Sequence, residues 1–319
     1  MNTNIIVDTD MGNDDIIAIC ALLKSKKFNV KAFSTVFGVT TQKVGANNLS
    51  KLLAYINLNI PICRGKSKAV KSNWNASFPK IDQIRASNLT LLNTLNIPLN
   101  IKTDKNYISL DLLYKFIQNE SEKITFVCLG PLTNLAYLLN KYQNKLTDKI
   151  KQIFIMGGAI NTPGIVPPLN VSEYNIYLDP EGAKTVFDSN IKLTIFPIDA
   201  TKWVPAMLSF STNQNKKILN RFLTKVKQTR PNNKLSQIIK ELIINNNNDF
   251  NYFYDPLVSA CMENTQLMEQ SKTGSISVSL SKNNRGRTTL AKNFKANTQV
   301  ISKINSRLLY QQILSLIKK

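Results

Sequence analysis

The chain has 319 residues, of which 43% are hydrophobic, and it contains no histidine. The apolar share is enough for a sizeable core and excludes a disordered chain, while no uninterrupted apolar run reaches the roughly 18 residues of a membrane helix. The absence of histidine excludes Ser-His-Asp and Cys-His nucleophile pairs, His-ligated zinc or iron, and the usual general base near pH 7. Any catalysis must therefore use carboxylates, amides, hydroxyls or a hard metal ion.

The charge of the chain is strongly positive, with 41 Lys and Arg against 20 Asp and Glu, which gives a formal net charge of +21. Such a charge is compatible with a nucleic-acid partner or an anionic membrane surface. The cations, however, are spread along the whole chain beside many Asn and Ile residues instead of being gathered in blocks. This distribution favours a compositional bias over a binding surface, and we expect neither a nucleic-acid nor a membrane partner.

The cysteines indicate a reducing compartment. Cys20, Cys63, Cys128 and Cys261 lie far apart and lack the C-x-x-C spacing of a metal or redox site. We therefore expect reduced cysteines in the core of a cytoplasmic protein. The first residues show neither a basic segment nor a long apolar segment of the kind found in signal peptides, so we expect a soluble, unprocessed chain.

The hydrophobic periodicity predicts strands and helices that alternate for most of the chain. The predicted strands are Ile5–Val7, Val30–Val36, Ile60–Ile62, Ile124–Leu129, Ile153–Met156 and Ile191–Phe196. The predicted helices are Asp14–Lys24, Val44–Ile56, Ile81–Leu95, Tyr107–Asn119, Leu132–Asn140 and Pro180–Asp188, with further helical segments between residues 213 and 244, from Asp255, and at the end of the sequence. Alternation over Ser275–Leu280 followed by a turn predicts a hairpin. The pattern predicts one α/β domain over residues 1–319, with a mainly parallel central sheet and helices on both faces.

The most informative segment follows the first predicted strand, where Asp8, Asp10, Asp14 and Asp15 place four carboxylates within eight residues. Like charges this close are unfavourable unless protons or a cation neutralise them. Helix capping would explain carboxylates at the start of a helix but not Asp8 and Asp10 at the end of a buried strand. A divalent cation site at the carboxyl end of the sheet is the favoured interpretation, and oxygen ligands select Ca²⁺ or Mg²⁺.

The same segment resembles the D-T-D-P-G-x-D-D signature of the nucleoside hydrolases, enzymes that use bound calcium to split the N-glycosidic bond of ribonucleosides. Met11 occupies the position of the proline in this signature. Five further matches to the family follow in the expected order: Thr35–Gly38, Gly130–Asn134, Met156–Gly158, Glu173–Ile176 with Asp179–Glu181, and Tyr254–Leu257. Each match alone is weak, but the ordered set is highly specific and implies the family's α/β fold and hydrolase activity.

The resemblance implies a set of roles around one calcium ion. The ligands would be the carboxylates of Asp10, Asp15 and Asp255 and the main-chain carbonyl of Leu129. The carboxylate of Asp14 would be the general base that takes a proton from a calcium-bound water, which attacks C1′ of the ribose. The partner would be a small-molecule nucleoside, purine or pyrimidine, and family members are commonly dimers or tetramers, so a homo-oligomer is implied.

The substrate-binding residues are less regular. Glu173 and Asn175 match residues that bind ribose hydroxyls, and they would face the same way if their stretch is extended; the alternative is a polar loop. Asn170 is a possible substitute for a missing family amide, at a shifted spacing. Tyr254 stands where the family has a histidine that assists departure of the base, and it is the candidate acid. Trp203 is a candidate for stacking on the base, with core packing as its alternative.

Several departures leave other functions open. Val39 replaces a family asparagine that helps to hold the substrate, and the histidines are absent. These changes would also suit a catalytically impaired or divergent relative that binds a nucleoside or another ribose compound. Asp255 followed by Pro256 is, in addition, a common helix N-cap pairing. The strand end at Asp8–Asp10 also resembles the D-x-D opening of haloacid-dehalogenase-like phosphoryl transferases, but the later acidic motif of that family is missing.

Overall fold

The computed structural model describes residues 2–71, 76–87, 103, 106–246, 249–291 and 296–318. Within these ranges the strands are β1 Thr3–Thr9, β2 Phe28–Thr35, β3 Ile62–Arg64, β4 Ile124–Cys128, β5 Ile150–Met156, β6 Leu193–Phe196, β7 Met268–Val278, β8 Thr288–Ala291 and β9 Thr298–Ile304. The helices are α1 Asn13–Lys24, α2 Gln42–Tyr55, α3 Lys80–Ser87, α4 Leu110–Asn119, α5 Thr133–Tyr142, α6 Asn144–Thr147, α7 Tyr174–Leu178, α8 Pro180–Phe187, α9 Ile198–Thr201, α10 Asn213–Gln228, α11 Lys234–Ile244, α12 Tyr254–Glu263 and α13 Ser306–Lys318.

The strands form one nine-stranded sheet in the order β3-β2-β1-β4-β5-β6-β9-β7-β8. The strands from β3 to β9 in this order pair in parallel, and β7 pairs antiparallel with β9 and with β8. From β1 the chain first builds outward through β2 and β3, and then on the other side through β4, β5 and β6. The order therefore reverses between β1 and β4, where parallel α/β sheets place their ligands.

Helices cover both faces of the sheet because successive strand side chains point to opposite sides. Ile5 and Val7 of β1 belong to the core on one face, together with Ile17 of α1. Ile6 belongs to the core on the other face, together with Leu135 of α5. The predicted fold class, a mainly parallel central sheet between two helical layers, is confirmed.

Most boundary differences have a local cause. The helix predicted to start at Tyr107 starts at Leu110, because the Ser109 hydroxyl caps it by accepting a hydrogen bond from the Leu112 amide at 3.2 Å. The helix predicted over Ile81–Leu95 begins at Lys80 and is described only as far as Ser87; the remainder of that prediction lies outside the described residues. The predicted hairpin is confirmed as β7 and β8.

The four cysteines are buried and free, which confirms the prediction of reduced core thiols. No helix in the described ranges combines the length and the apolarity needed to cross a membrane.

The packing of α1 against the sheet yields a stability test. Ile17 is completely buried, whereas Ile81 of α3 is 55% exposed. We expect Ile17→Ala to lower the free energy of unfolding by about 2–5 kcal/mol, because it removes buried apolar contacts and leaves a cavity. Ile81→Ala is the matched control and should change it by about 0.5 kcal/mol or less. Urea unfolding monitored by circular dichroism measures both, and similar losses in the two variants would contradict the core assignment.

Candidate active site

Carboxylates from two helix starts meet beside the carboxyl ends of β1 and β4. Asp14 and Asp15 lie in the first turn of α1, and Asp255 lies in the first turn of α12, which packs against α1. One carboxylate oxygen from each of these three residues lies within 4.8 Å of the others. This acidic group could hold a metal ion, and it joins residues that are about 240 positions apart in sequence.

Asp10, just beyond β1, is held by the loop that follows β2. Its Oδ2 accepts a hydrogen bond from the Val39 amide at 2.7 Å, and its carbonyl accepts one from the Thr40 hydroxyl at 2.7 Å. A Cβ placed on Gly38 would lie 2.0 Å from Asp10 Oδ2, so only glycine permits this approach. Val39 thus contributes its backbone to the site, although its side chain offers no amide.

Asp15 and Asp255 differ in what holds them. Asp15 accepts hydrogen bonds from the Thr9 hydroxyl and, at 3.0 Å, from the Gly12 amide, so it caps α1 as well as facing the site. The alternative in which Asp255 is an N-cap is wrong, because α12 begins one residue earlier, at Tyr254. Instead, Asp255 Oδ1 is buried with no hydrogen-bond partner among the described residues. An orphaned buried carboxylate oxygen fits a cation ligand.

The acidic group is electrostatically unfavourable when it is fully ionised. Burial raises the pKa of Asp10 to about 6. Burial, with a smaller contribution from the charge of Asp10, raises the pKa of Asp14 to about 7. Burial and then repulsion from neighbouring carboxylates raise the pKa values of Asp15 and Asp255 well above their ordinary range. A divalent cation would relieve both effects, and an all-oxygen donor set suits a hard ion.

Asn175 joins the ends of two strands beneath the site. Its side-chain amide donates to the carbonyls of Leu129 at 2.9 Å and Met156 at 3.2 Å. Leu129, the predicted main-chain ligand, directly follows β4, and its amide donates to the Asp8 carbonyl at 2.8 Å. The Leu129 carbonyl therefore has one lone pair engaged by Asn175 and a second remaining.

Glu173 is buried, and hydrogen bonds from backbone amides hold its carboxylate in place. Its carboxylate accepts hydrogen bonds from the amides of Asn175 at 2.8 Å and Gly158 at 3.0 Å. Burial raises the pKa of Glu173 to about 7, although these hydrogen bonds oppose the shift. The stretch is not extended, since α7 begins at Tyr174 with Glu173 as its N-cap. Glu173 and Asn175 nevertheless both face the same cavity.

These side chains line one cavity of about 200 Å³. Among the residues predicted from the sequence, the lining includes Asp10, Asp14, Asp15, Leu129, Glu173, Asn175, Tyr254 and Asp255. Burial, and secondarily the charge of Asp14, raises the pKa of the Tyr254 phenol well above its ordinary range.

Two predicted substrate residues lie elsewhere. Asn170 is exposed in a turn with φ +49°, and its carbonyl accepts a hydrogen bond from the Gly164 amide at 2.7 Å. Trp203 is half-buried, and its indole N–H donates to the Ser302 carbonyl at 3.0 Å. Neither residue lines the cavity in the described part of the chain, so core packing, the alternative for Trp203, agrees with its position.

Sequence reasoning missed the outer wall of the cavity. Asp82 and Arg85 reach it from α3, and Phe78 stacks on Tyr174 with ring centroids 4.4 Å apart. Asp249 also lines the cavity, and its carboxylate accepts a hydrogen bond from the side-chain amide of Asn13 at 2.9 Å. This bond links the loop before α12 to the start of α1. Asp249 follows an Asn-rich tract, which by itself indicates no chemistry. Only the three-residue spacing of the Asp82–Arg85 pair was visible locally, and that spacing indicates a helix and no site.

Asp8 lies outside this cavity lining but beside it. Its Oδ1 accepts hydrogen bonds from the Ser34 hydroxyl and, at 2.7 Å, from the Asn134 amide. Burial, opposed by these bonds, raises the pKa of Asp8 to about 7. Asp8 thus ties β1 to β2 and to the start of α5.

Comparison with known proteins identifies relatives along nearly the whole chain. A family model described as inosine-uridine preferring nucleoside hydrolase matches residues 5–311. Pyrimidine-specific ribonucleoside hydrolases called RihA are similar, one from Escherichia coli being 33% identical over 198 residues, which is 62% of this chain and 60% of that protein. A RihA of Escherichia fergusonii is 33% identical over 201 residues, with the same coverage. The matched stretch thus spans 60% of the length of these curated relatives.

Solved structures share the fold. A plant nucleoside hydrolase has a TM-score of 0.81 at 21% identity, covering 100% of this chain and 99% of its own. An inosine-uridine preferring nucleoside hydrolase from Bacillus anthracis has a TM-score of 0.79 at 21% identity, covering 99% of each chain. A purine-preferring ribonucleoside hydrolase from Gardnerella vaginalis has a TM-score of 0.79 at 18% identity, covering 99% of this chain and 98% of its own.

The raised pKa values of the acidic group yield a pH prediction for the metal-free protein. We expect the free energy of unfolding to fall as the pH rises from about 4 to about 7. In this window the unfolded chain releases the protons of these carboxyls, whose ordinary pKa is 3.8, while the folded chain still binds them, so a rise in pH favours unfolding. Each unit of pKa shift corresponds to about 1.4 kcal/mol.

Urea unfolding of chelator-treated protein at several pH values measures this decline. Asp255→Asn removes one of the repelling charges, so its decline should be shallower than that of the wild type. Added Ca²⁺ should raise the unfolding midpoint of the wild type at pH 7 and do so much less in the variant. Equal pH slopes and equal calcium responses in the two proteins would contradict this account of the acidic group.

Proposed function

The chain belongs to the inosine-uridine preferring nucleoside hydrolase family, and on this premise we propose that it hydrolyses the N-glycosidic bond of a ribonucleoside to free base and ribose. The observation that carries the proposal is the shared cavity, in which the half-buried Asp14 and the buried Asp15 and Asp255 lie beside Glu173 and Asn175. The first three suit a cation and an activated water, and the other two suit the hydroxyls of a sugar. Membership of this family also sets aside the phosphoryl-transfer alternative.

The cation in this proposal is Ca²⁺, held by carboxylates of Asp10, Asp15 and Asp255 and by the carbonyl of Leu129. The orphaned oxygen of Asp255 and the remaining lone pair on Leu129 support this set. A bound calcium ion supplies Lewis acidity that lowers the pKa of water at the site.

Asp14 is proposed as the general base. It belongs to the acidic group and lines the cavity, and its pKa of about 7 suits proton acceptance near neutral pH. The proton of the attacking water passes to the Asp14 carboxylate as the water oxygen bonds to C1′ of the ribose. The bond between C1′ and the base nitrogen breaks, and its electron pair leaves with the base.

Glu173 and Asn175 are proposed to bind the ribose. The charge of Glu173 and of the acidic group would stabilise the positive charge that develops on the sugar ring in the transition state. Because backbone amides already hold the Glu173 carboxylate, little reorganisation accompanies that stabilisation.

Tyr254 is proposed to assist the departing base. Burial keeps its phenol protonated at physiological pH, so it remains a hydrogen-bond donor. It lines the same cavity as Asp14 and lies in the first turn of α12 beside Asp255. With no histidine in the chain, this phenol is a donor suited to the negative charge that develops on the base.

The relatives leave open which nucleobase is released, because one is named pyrimidine-specific and another purine-preferring. A divergent protein that binds a nucleoside without cleaving it efficiently is the second candidate function, favoured by Val39 in the lining. A homo-oligomer and a cytoplasmic location remain part of the proposal.

Replacing Asp14, the proposed general base, tests the reaction. We expect purified protein with Ca²⁺ to release ribose from at least one nucleoside in a panel of purines and pyrimidines, and a chelator to abolish that release. Asp14→Asn should lower kcat by at least about 100-fold, because the proton acceptor is lost. The exposed Asp148→Asn is the matched control and should retain wild-type activity. Failure to cleave any nucleoside, with ribose binding retained, would establish the second candidate instead.

Tyr254 can be tested through the leaving group. Tyr254→Phe should lower kcat for the preferred nucleoside by roughly 100-fold, since its base must be protonated or hydrogen-bonded as it leaves. With p-nitrophenyl riboside, whose leaving group is stable as an anion, the same substitution should have little effect. Equal losses on both substrates would show that Tyr254 does not assist the leaving group.

A further inference from the structure

The hairpin of β7 and β8 contacts the active site from outside. Among the described residues, none of residues 279–291 lines the cavity. The turn and the first residue of β8 nevertheless bond to two backbone segments next to Glu173. One is the Gly157–Ala159 loop after β5, whose Gly158 amide donates to the Glu173 carboxylate, and the other is Ser172, the residue before Glu173.

The first contact is made by Thr288, which is 2% exposed. Its hydroxyl accepts a hydrogen bond from the Ala159 amide and donates one to the Ala159 carbonyl, both at 2.9 Å. The preceding amide, of Gly158, donates to the Glu173 carboxylate at 3.0 Å. Gly158 has a φ of +90°, and a Cβ there would lie 3.1 Å from the Thr288 hydroxyl. Thr288 therefore holds Ala159, and the residue before it, Gly158, donates its amide to the Glu173 carboxylate.

The second contact is made by the turn of the hairpin. The Ser172 hydroxyl donates to the Gly286 carbonyl at 2.8 Å. Gly286 has a φ of +78°, and a Cβ there would lie 2.5 Å from the Ser172 hydroxyl oxygen, so only glycine allows this close approach. The residue immediately before Glu173 is thus tied to the hairpin.

An ion pair anchors the turn to the body of the fold. Arg285 Nη2 donates to both carboxylate oxygens of Glu181, at 2.6 and 2.5 Å, and Arg285 Nη1 donates to the Leu280 carbonyl at 3.1 Å. The two charged side chains are only 13% and 9% exposed. Glu181 lies in the first turn of α8, directly after the α7 segment that Glu173 caps. Hydrogen bonds between charged groups with little exposure are stronger and more directional than those at an open surface.

We propose that the turn of this hairpin and Thr288, residues 279–288 and hereafter the hairpin clamp, position the Glu173 carboxylate for the sugar. Thr288 and Arg285 are positioning residues, acting through Ala159 and through the Gly286–Ser172 bond. The inference rests on the proposed function, because it takes Glu173 as the residue that binds ribose. Loosening the hairpin clamp should shift the Glu173 carboxylate and weaken its contact with the nucleoside.

Kinetics of the full-length, calcium-loaded protein test the hairpin clamp. We expect Thr288→Val, which keeps the shape and removes the hydroxyl, to lower kcat/KM about tenfold, mainly by raising KM. Thr288→Ser, which keeps the hydroxyl, should restore it. Thr289→Val is the matched control, because Thr289 is exposed on the opposite face of β8 and its hydroxyl shares a hydrogen bond with the Ser277 hydroxyl. Equal effects of the Thr288 and Thr289 substitutions would overturn the proposal.

A double variant of Thr288 and Glu173 distinguishes a positioning role of Thr288 from a general loss of stability. In a Glu173→Gln background, Thr288→Val should cost less than about twofold, since the group that it positions has already been altered. A full tenfold loss in that background would overturn the proposal. Arg285→Lys keeps the charge but cannot donate to both carboxylate oxygens of Glu181 in the same planar geometry, and it should raise KM. Arg221→Lys, at an exposed arginine of α10 outside the hairpin clamp, should not.

Hydrogen exchange keeps this test independent of the proposed reaction. If the wild-type protein cleaves no nucleoside, the proposed function fails, and the hairpin clamp is then judged by amide exchange of residues 157–160 and 172–176. Thr288→Val should speed that exchange at least about tenfold over the wild type and over Thr289→Val. Unchanged exchange in both segments would overturn the hairpin clamp.

Discussion

The mutual repulsion of buried carboxylates is the constraint around which this structure is organised. Asp10, Asp15 and Asp255 are buried and Asp14 is half-buried. Burial raises the pKa values of all four, and repulsion adds to the rise at Asp14, Asp15 and Asp255. A fold tolerates such a cluster only when donors hold each carboxylate or a cation neutralises it. The Thr9 hydroxyl and the amides of Gly12 and Val39 supply part of that support, and the remaining demand is what makes the site suitable for a divalent ion.

The sheet topology brings these groups to one edge. Because the strand order reverses between β1 and β4, the loops after these strands diverge and leave a crevice at their carboxyl ends. Asp10 follows β1, Leu129 follows β4, and the amide of Asn175 holds the ends of β4 and β5 together. The acidic group and the pair Glu173 and Asn175 are therefore held at adjacent strand ends of one sheet, and the proposed hairpin clamp would extend this arrangement to the antiparallel edge of the sheet.

The predictions made from the sequence were accurate where the interactions behind them join residues that are close together in the chain. The order of strands and helices and the acidic segment from Asp8 to Asp15 were readable because strand, turn and helix start are adjacent in the chain. The roles expected of the site residues came from the family resemblance and stay predictions, as does the extent of a single domain over residues 1–319. Asn170 was a candidate for a missing family amide and Trp203 for stacking on the base, and the structure places both outside the cavity lining in the described part of the chain.

By itself, the sequence determined the fold class, the oxygen-rich chemistry and the exclusion of histidine mechanisms, since these depend on composition, periodicity and local spacing. Only the tertiary structure decided that Arg85 and Asp249 form the outer wall and that Thr288 lies against Ala159, 129 residues away in sequence. Such contacts depend on how strands are ordered across the sheet and on which helix ends meet. That ordering results from the packing of the whole core on both faces of the sheet, and no local pattern encodes it.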